Sequence, residues 1–118
     1  LHLHLNQDTE NLINYHEFKL MKKSSIIVNT SRGKIINEDA LLDALKSGKI
    51  YGAGLDVIDG EWLSDLELYN HPLIEYSRKN KNLLIVPHIG GSTKESINLA
   101  RIFMAKKIKD YLENNWHL

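Results

Sequence analysis

An arginine, two carboxylates and an imidazole each stand where a short apolar run ends: Arg32 in "IIVNTSRG", Asp56 and Glu61 in "IYGAGLDVIDGE", and His88 in "LLIVPH". A guanidinium at the end of a buried strand is costly to desolvate unless it meets an anion. Either a carboxylate of the chain pairs it, with Asp56 and Glu61 the candidates for a structural salt bridge, or a ligand does. Arginine offers a planar fork of donors matched to a carboxylate, and histidine exchanges a proton with a hydroxyl or carbonyl oxygen near neutral pH. Together they suit a 2-hydroxy acid. A carboxylate nearby would favour the imidazolium, which could then protonate a carbonyl oxygen as hydride arrives at carbon. Taken singly, His88 also reads as a turn histidine satisfied by backbone, and Gly90 and Gly91 as a tight turn into the next helix.

The elements that position these residues follow from pattern. "LHLHL" alternates with period two and predicts a short strand with His2 and His4 on one face. Asn14 with Glu17 resembles a capping box opening a short helix with Phe18 and Met21 on one side. "IIVNT" is β-branched and short, and predicts a buried parallel strand running to Arg32. Asn37 caps a helix whose first turn carries Glu38 and Asp39, whose apolar stripe is Ala40, Leu41, Ala44 and Leu45, and which stops at Gly48. "IYGAGLDV" predicts a strand in which Gly52 and Gly54 allow close approach of a backbone or ligand. Irregular chain is expected from Ile58 to Lys81, then a third core strand, "LLIV", ended by Pro87. Ser92 and Glu95 form a second capping-box pattern before a long helix with Ile97, Ala100, Met104, Ile108 and Tyr111 at helical spacing, which should bury one broad face.

Strand, helix, strand, insertion, strand, helix is the order of a doubly wound α/β domain with a parallel sheet and right-handed crossovers. Ligands of such sheets bind beyond the carboxyl ends of the strands, where Arg32, Asp56, Glu61 and His88 are expected to converge.

Composition limits the alternatives. The chain has 118 residues, 42% hydrophobic and 25% charged, which fits one small globular domain. Fifteen basic and fifteen acidic side chains cancel, so no net field draws it to nucleic acid or an anionic membrane. With zero cysteines there is no disulfide framework or thiolate metal site, which suits a reducing cytosol, and a cytoplasmic location is expected. The longest apolar runs are too short to span a bilayer. His2 and His4 lack a third ligand, so no metal site is expected. His16, His71 and His117 read as surface or packing residues, and Trp62 and Trp116 as packing.

The ordered blocks "NTSRGKIINEDALLDALKSGKIYGAGLDV", "DGE" and "PHIGGSTKES" resemble the D-isomer-specific 2-hydroxyacid dehydrogenases. The resemblance covers essentially the whole chain and corresponds to the carboxyl-terminal half of that family's NAD-binding, Rossmann-like domain. It implies that Arg32 holds the substrate carboxylate and carbonyl, that His88 is the acid and base, and that Glu61 orients and tunes it. Asp56, residues around Thr30, Ser31 and Arg32, His88, and the glycines Gly90 and Gly91 are implied as cofactor contacts. The family strand "LHxPxT" resembles "LHLHLN", with His4 in place of the proline and Asn6 in place of the threonine; Trp62 stands where "EP" is common. "PHIGGST" leans toward the phosphoglycerate dehydrogenase branch.

No G-x-G-x-x-G follows any strand, and no acidic residue stands about twenty residues beyond one to hold a ribose. The chain also opens on "LHLHL" without a methionine. A fragment is therefore expected, its upstream half carrying the phosphate site and its last helix, residues 93–118, leading back to an absent substrate domain with its apolar face partly orphaned. The activity implied is NAD-dependent interconversion of a D-2-hydroxy acid and its 2-oxo acid in a homodimer; alone, the chain is expected to be inactive. The alternative is an NAD-binding scaffold or sensor of the same fold without turnover.

Overall fold

The computed structural model describes residues 1–115. Its elements are α1 (Tyr15–Leu20), β1 (Ile26–Asn29), a 3-10 turn (Gly33–Ile35), α2 (Glu38–Lys46), β2 (Gly52–Leu55), α3 (Asp65–Tyr69), α4 (Pro72–Lys79), β3 (Leu83–Ile85) and α5 (Lys94–Asn115). Two asparagines start the first helices as expected. Asn14 and Glu17 form a reciprocal capping box on α1, whose Phe18 is buried. Asn37 accepts from the Ala40 N–H at 3.0 Å at the start of α2, which buries Ala40, Leu41, Ala44 and Leu45. The chain leaves α2 through Gly48 at φ +63°, a backbone conformation that costs glycine nothing.

The three strands form a parallel sheet in the order β1-β2-β3. Side chains alternate across it, so Ile27, Ala53 and Leu83 lie in register on one face and Val28, Gly54 and Leu84 on the other. The first row is buried against Phe18, Leu41, Leu45 and Leu73 of the helices. On the second, Ile26, Val28 and Leu84 are exposed. The expectation that "IIVNT" is buried throughout is thus corrected: the alternation of exposure along β1 shows a strand covered on one face only. Gly52 is required by a close approach, because a Cβ there would stand 2.9 Å from the carbonyl oxygen of Asn82, the residue just before β3. Gly54 is not; its nearest neighbour, a Val28 methyl, would lie at an ordinary 3.8 Å.

Three other expectations change. "LHLHL" is not a strand, because a side chain replaces the main-chain ladder: the Ser31 hydroxyl donates to the Leu1 carbonyl at 2.6 Å and accepts from the Leu3 N–H at 3.2 Å. His2 and His4 therefore do not form one strand face. The stretch from Ile58 to Lys81 is not irregular throughout, since it holds α3 and α4. α3 opens on a capping box of Ser64 and Glu67, and α4 on His71 followed by proline at its first position.

The chain divides into two compact units, Leu1–Pro87 and His88–Leu118. The second is a turn followed by α5. Its cap lies one residue later than expected, with the Thr93 hydroxyl accepting from the Ser96 N–H at 3.1 Å. Ile97, Ala100, Met104, Ile108 and Tyr111 are all exposed. α5 therefore does not bury the broad face its spacing predicts, because this unit contains no second element for that face to pack on. Trp116 and His117 lie outside the described residues.

Candidate functional site

Among the described residues the buried polar side chains are Asn29, Ser31 and Asp56, and all stand at the carboxyl ends of β1 and β2. Burying such groups is unfavourable unless each is hydrogen-bonded, so their clustering shows what the fold invests in holding. Asn29 is fully buried. Its Oδ1 accepts from the Ser31 N–H at 3.1 Å and its Nδ2 donates to the Arg32 carbonyl at 2.8 Å, while its carbonyl accepts from the Asp56 N–H at 2.9 Å. One asparagine thereby ends β1, earlier than the predicted Arg32, shapes the turn after it and ties that turn to β2.

That turn presents Arg32. The side chain is exposed, and Nη1 donates to the Ser31 carbonyl at 2.6 Å. Among the described residues no carboxylate pairs with it, so the salt bridge to Asp56 or Glu61 is not formed. Gly33 follows because nothing larger fits: a Cβ would stand 2.1 Å from the Ile58 carbonyl carbon and 2.2 Å from the Asp59 nitrogen. The Arg32 turn and the loop after β2 are in backbone contact there. Thr30, the residue before Ser31, is exposed.

Asp56 is buried directly beyond β2, and Glu61 is half-buried further along the same loop. Gly60 has φ +76°, and its carbonyl accepts from the Leu63 N–H at 2.9 Å, so Glu61 lies inside a tight turn. A side chain on Gly60 would both strain that φ and approach Leu63 Cδ1 at 2.7 Å. Trp62 is 86% exposed.

The sequence reading misses Glu38 and His71. Of the two readings given to His71, surface or packing, the structure bears out packing, since only 10% of its side chain is exposed. Its Nδ1 accepts from the Leu73 N–H at 3.3 Å, capping α4, and its Nε2 lies 3.2 Å from Glu38 Oε2. The other Glu38 oxygen accepts from the Asp59 N–H at 2.8 Å. Burial pushes the Glu38 carboxyl above the usual range, against the opposing pull of the Asp59 N–H and His71. The dipeptide His71-Pro72 was the available signal, as a helix start with proline at N1.

In the second unit, His88 is exposed and has φ +51°. The left-handed region is strained for residues bearing a Cβ, though tolerated by histidine more than most, and such strain gathers at functional sites. Gly91 has no packing reason to be glycine, as a Cβ there would meet nothing within 4 Å. Gly90 and Gly91 are exposed. Among the described residues no three His, Asp or Glu side chains gather as a metal ion would require, and no helix is long and apolar enough to cross a membrane.

Residues 1–90 match the family model of the D-isomer specific 2-hydroxyacid dehydrogenase, NAD binding domain. The chain belongs to this family. It is 37% identical over 97% of its length to D-3-phosphoglycerate dehydrogenase of Escherichia coli, covering 27% of that protein. It is 44% identical over 81% of its length to glyoxylate reductase of Thermococcus litoralis, covering 26% of it. It also superposes on D-lactate dehydrogenase from Aquifex aeolicus complexed with NAD and lactic acid, with a TM-score of 0.79 and 31% identity over 98% of the chain and 37% of that structure. The chain thus spans about a quarter of the length of the curated relatives it matches.

For this dehydrogenase-family chain the cofactor is NAD, and the fold is the expected part of a doubly wound, parallel-sheet domain.

Proposed function

We propose that the chain supplies the carboxyl-terminal half of the NAD domain to a dehydrogenase that interconverts a D-2-hydroxy acid and its 2-oxo acid. Arg32 carries the reading: an exposed guanidinium on a turn built by buried Asn29 and Ser31, with no carboxylate partner among the described residues. Its fork of donors suits a substrate carboxylate and the adjacent carbonyl oxygen. In reduction the bound cofactor supplies the hydride. His88 gives its proton to the carbonyl oxygen and takes it back in oxidation, help worth roughly a hundredfold to ten-thousandfold in rate. Glu61 orients and tunes His88. Thr30, Ser31, Arg32, Asp56, His88, Gly90 and Gly91 hold the nicotinamide end of NAD, and α5 leads toward a substrate domain. A homodimer in the cytoplasm is the setting this reading takes, supported by the family resemblance and the lack of cysteine. Among substrates, D-3-phosphoglycerate is placed first, on "PHIGGST" and the likeness to the Escherichia coli relative.

The test is NADH oxidation by the full-length protein with the 2-oxo acid of D-3-phosphoglycerate, with glyoxylate and with pyruvate. Turnover with one of them is expected, and Arg32→Ala should lower kcat/KM on the order of a hundredfold, about the value of a lost charged hydrogen-bond pair. Arg32→Lys, which keeps the charge and loses the fork, should recover only part. Full turnover by Arg32→Ala would remove the arginine from the mechanism, and NADH binding without any turnover would favour a scaffold or sensor.

A further inference from the structure

α2 begins with two acids, and they are treated differently. Asp39 is exposed, where a carboxylate favours the helix N-terminus at no desolvation cost. Glu38 is turned inward until 20% of its side chain is exposed, beside a His71 at 10%. Burying a carboxylate is unfavourable unless donors meet both oxygens. The Asp59 N–H donates to Oε1 at 2.8 Å, and His71 Nε2 stands 3.2 Å from Oε2, within ion-pair distance of it. His71 is itself fixed, because its Nδ1 accepts from the Leu73 N–H at the start of α4. The chain from His71 through Glu38 to Asp59 therefore connects the starts of two helices to a loop.

The loop is the one that carries Glu61. Asp59 immediately precedes Gly60, which opens the Gly60–Leu63 turn, and Ile58 and Asp59 already rest on the backbone of Gly33 beside Arg32. Gly33 sets how close the loop comes, while a directional bond to the Asp59 N–H sets its orientation. We propose that Glu38, held by His71, is a positioning residue that fixes the loop bearing the Glu61 carboxylate. This rests on the reading that Glu61 acts on the acid-base histidine.

The experiment uses the full-length protein with Glu38→Ala, Glu38→Gln and His71→Asn. Asparagine is a good N-cap, so His71→Asn keeps the start of α4 while removing the imidazole that stands beside Glu38. Hydrogen exchange of the peptide spanning Asp59 to Leu63 is read alongside kinetics and melting. Expected for Glu38→Ala is exchange at least tenfold faster in that peptide, with kcat tenfold to a hundredfold lower, as for a catalytic group displaced by about an ångström. KM for the 2-oxo acid should stay within about twofold, since Arg32 is untouched. The alkaline fall of the pH–rate profile should move to lower pH as Glu61 loses its grip on the imidazolium. His71→Asn should reproduce the pattern at smaller size with exchange in α4 unchanged, and Glu38→Gln should fall between the wild type and Glu38→Ala.

Unchanged exchange at Asp59–Leu63 in Glu38→Ala would overturn the clasp. Faster exchange with unchanged kcat and pH profile would overturn the positioning role. Slower exchange confined to that peptide would also overturn it. A wild-type protein that binds NADH but turns over no 2-oxo acid would sink the proposed function, and the catalytic half of this inference with it. The exchange data would still decide separately whether Glu38 holds the loop.

Discussion

At the scale of single residues, the fold's demands are most visible where substitution is sterically forbidden. Gly33→Ala would place a methyl group 2.1 Å from the Ile58 carbonyl carbon, and because the obstacle is backbone, the two loops must part. Overpacking of this kind costs about 1–3 kcal/mol, so the midpoint of urea denaturation should fall accordingly. Glu38 gives a second prediction, in pH. Its carboxyl is raised above the ordinary 4.5 by burial, so the fold favours the protonated form. That contribution to stability is fully present below the unfolded value and is lost as pH rises through the folded one. Glu38→Gln stays neutral, so its stability relative to wild type should improve between about pH 4 and about pH 7 in denaturation at both. A relative loss over that interval would contradict the raised value.

At the scale of elements, legibility followed from how local the information is. α2 could be read almost residue for residue, because Asn37, the acidic first turn, the apolar stripe and Gly48 all lie within its own stretch. Asn37→Ala should lower stability by about 1 kcal/mol through the lost bond to the Ala40 N–H, readable as a drop in the thermal midpoint by circular dichroism. α3 and α4 escaped because neither has an apolar stripe long enough to show a period, and their caps carry most of the signal. β1 was read too long at its end because Asn29 takes over from the ladder through a side chain, and pattern does not show which partners an asparagine will find. Arg32, Asp56, Glu61 and His88 could be singled out from the sequence because each follows a short apolar run, Glu61 furthest beyond its own. Glu38 and His71 could not, since their meeting depends on how α2 and α4 pack.

At the scale of the molecule, the first unit closes a core on one side of its sheet and leaves the other side uncovered. Helix burial around Leu41, Leu45 and Leu73 explains why Leu1–Pro87 is a compact unit. The open side consists of Ile26, Val28 and Leu84 on paired strands, with Gly54 between the last two contributing no side chain. Those side chains form a shallow, oily strip rather than scattered surface residues. In handling, such a strip governs behaviour more than the net charge of +0, which offers no repulsion between copies. The chain expressed by itself should brighten a fluorescent dye such as anilinonaphthalene sulfonate and lose solubility as its concentration or the salt is raised. Val28→Thr together with Leu84→Thr should dim the dye without unfolding the protein. The same strip that makes the chain sticky in a test tube is the surface a ribosome-bound intermediate would show to chaperones until the strip is covered.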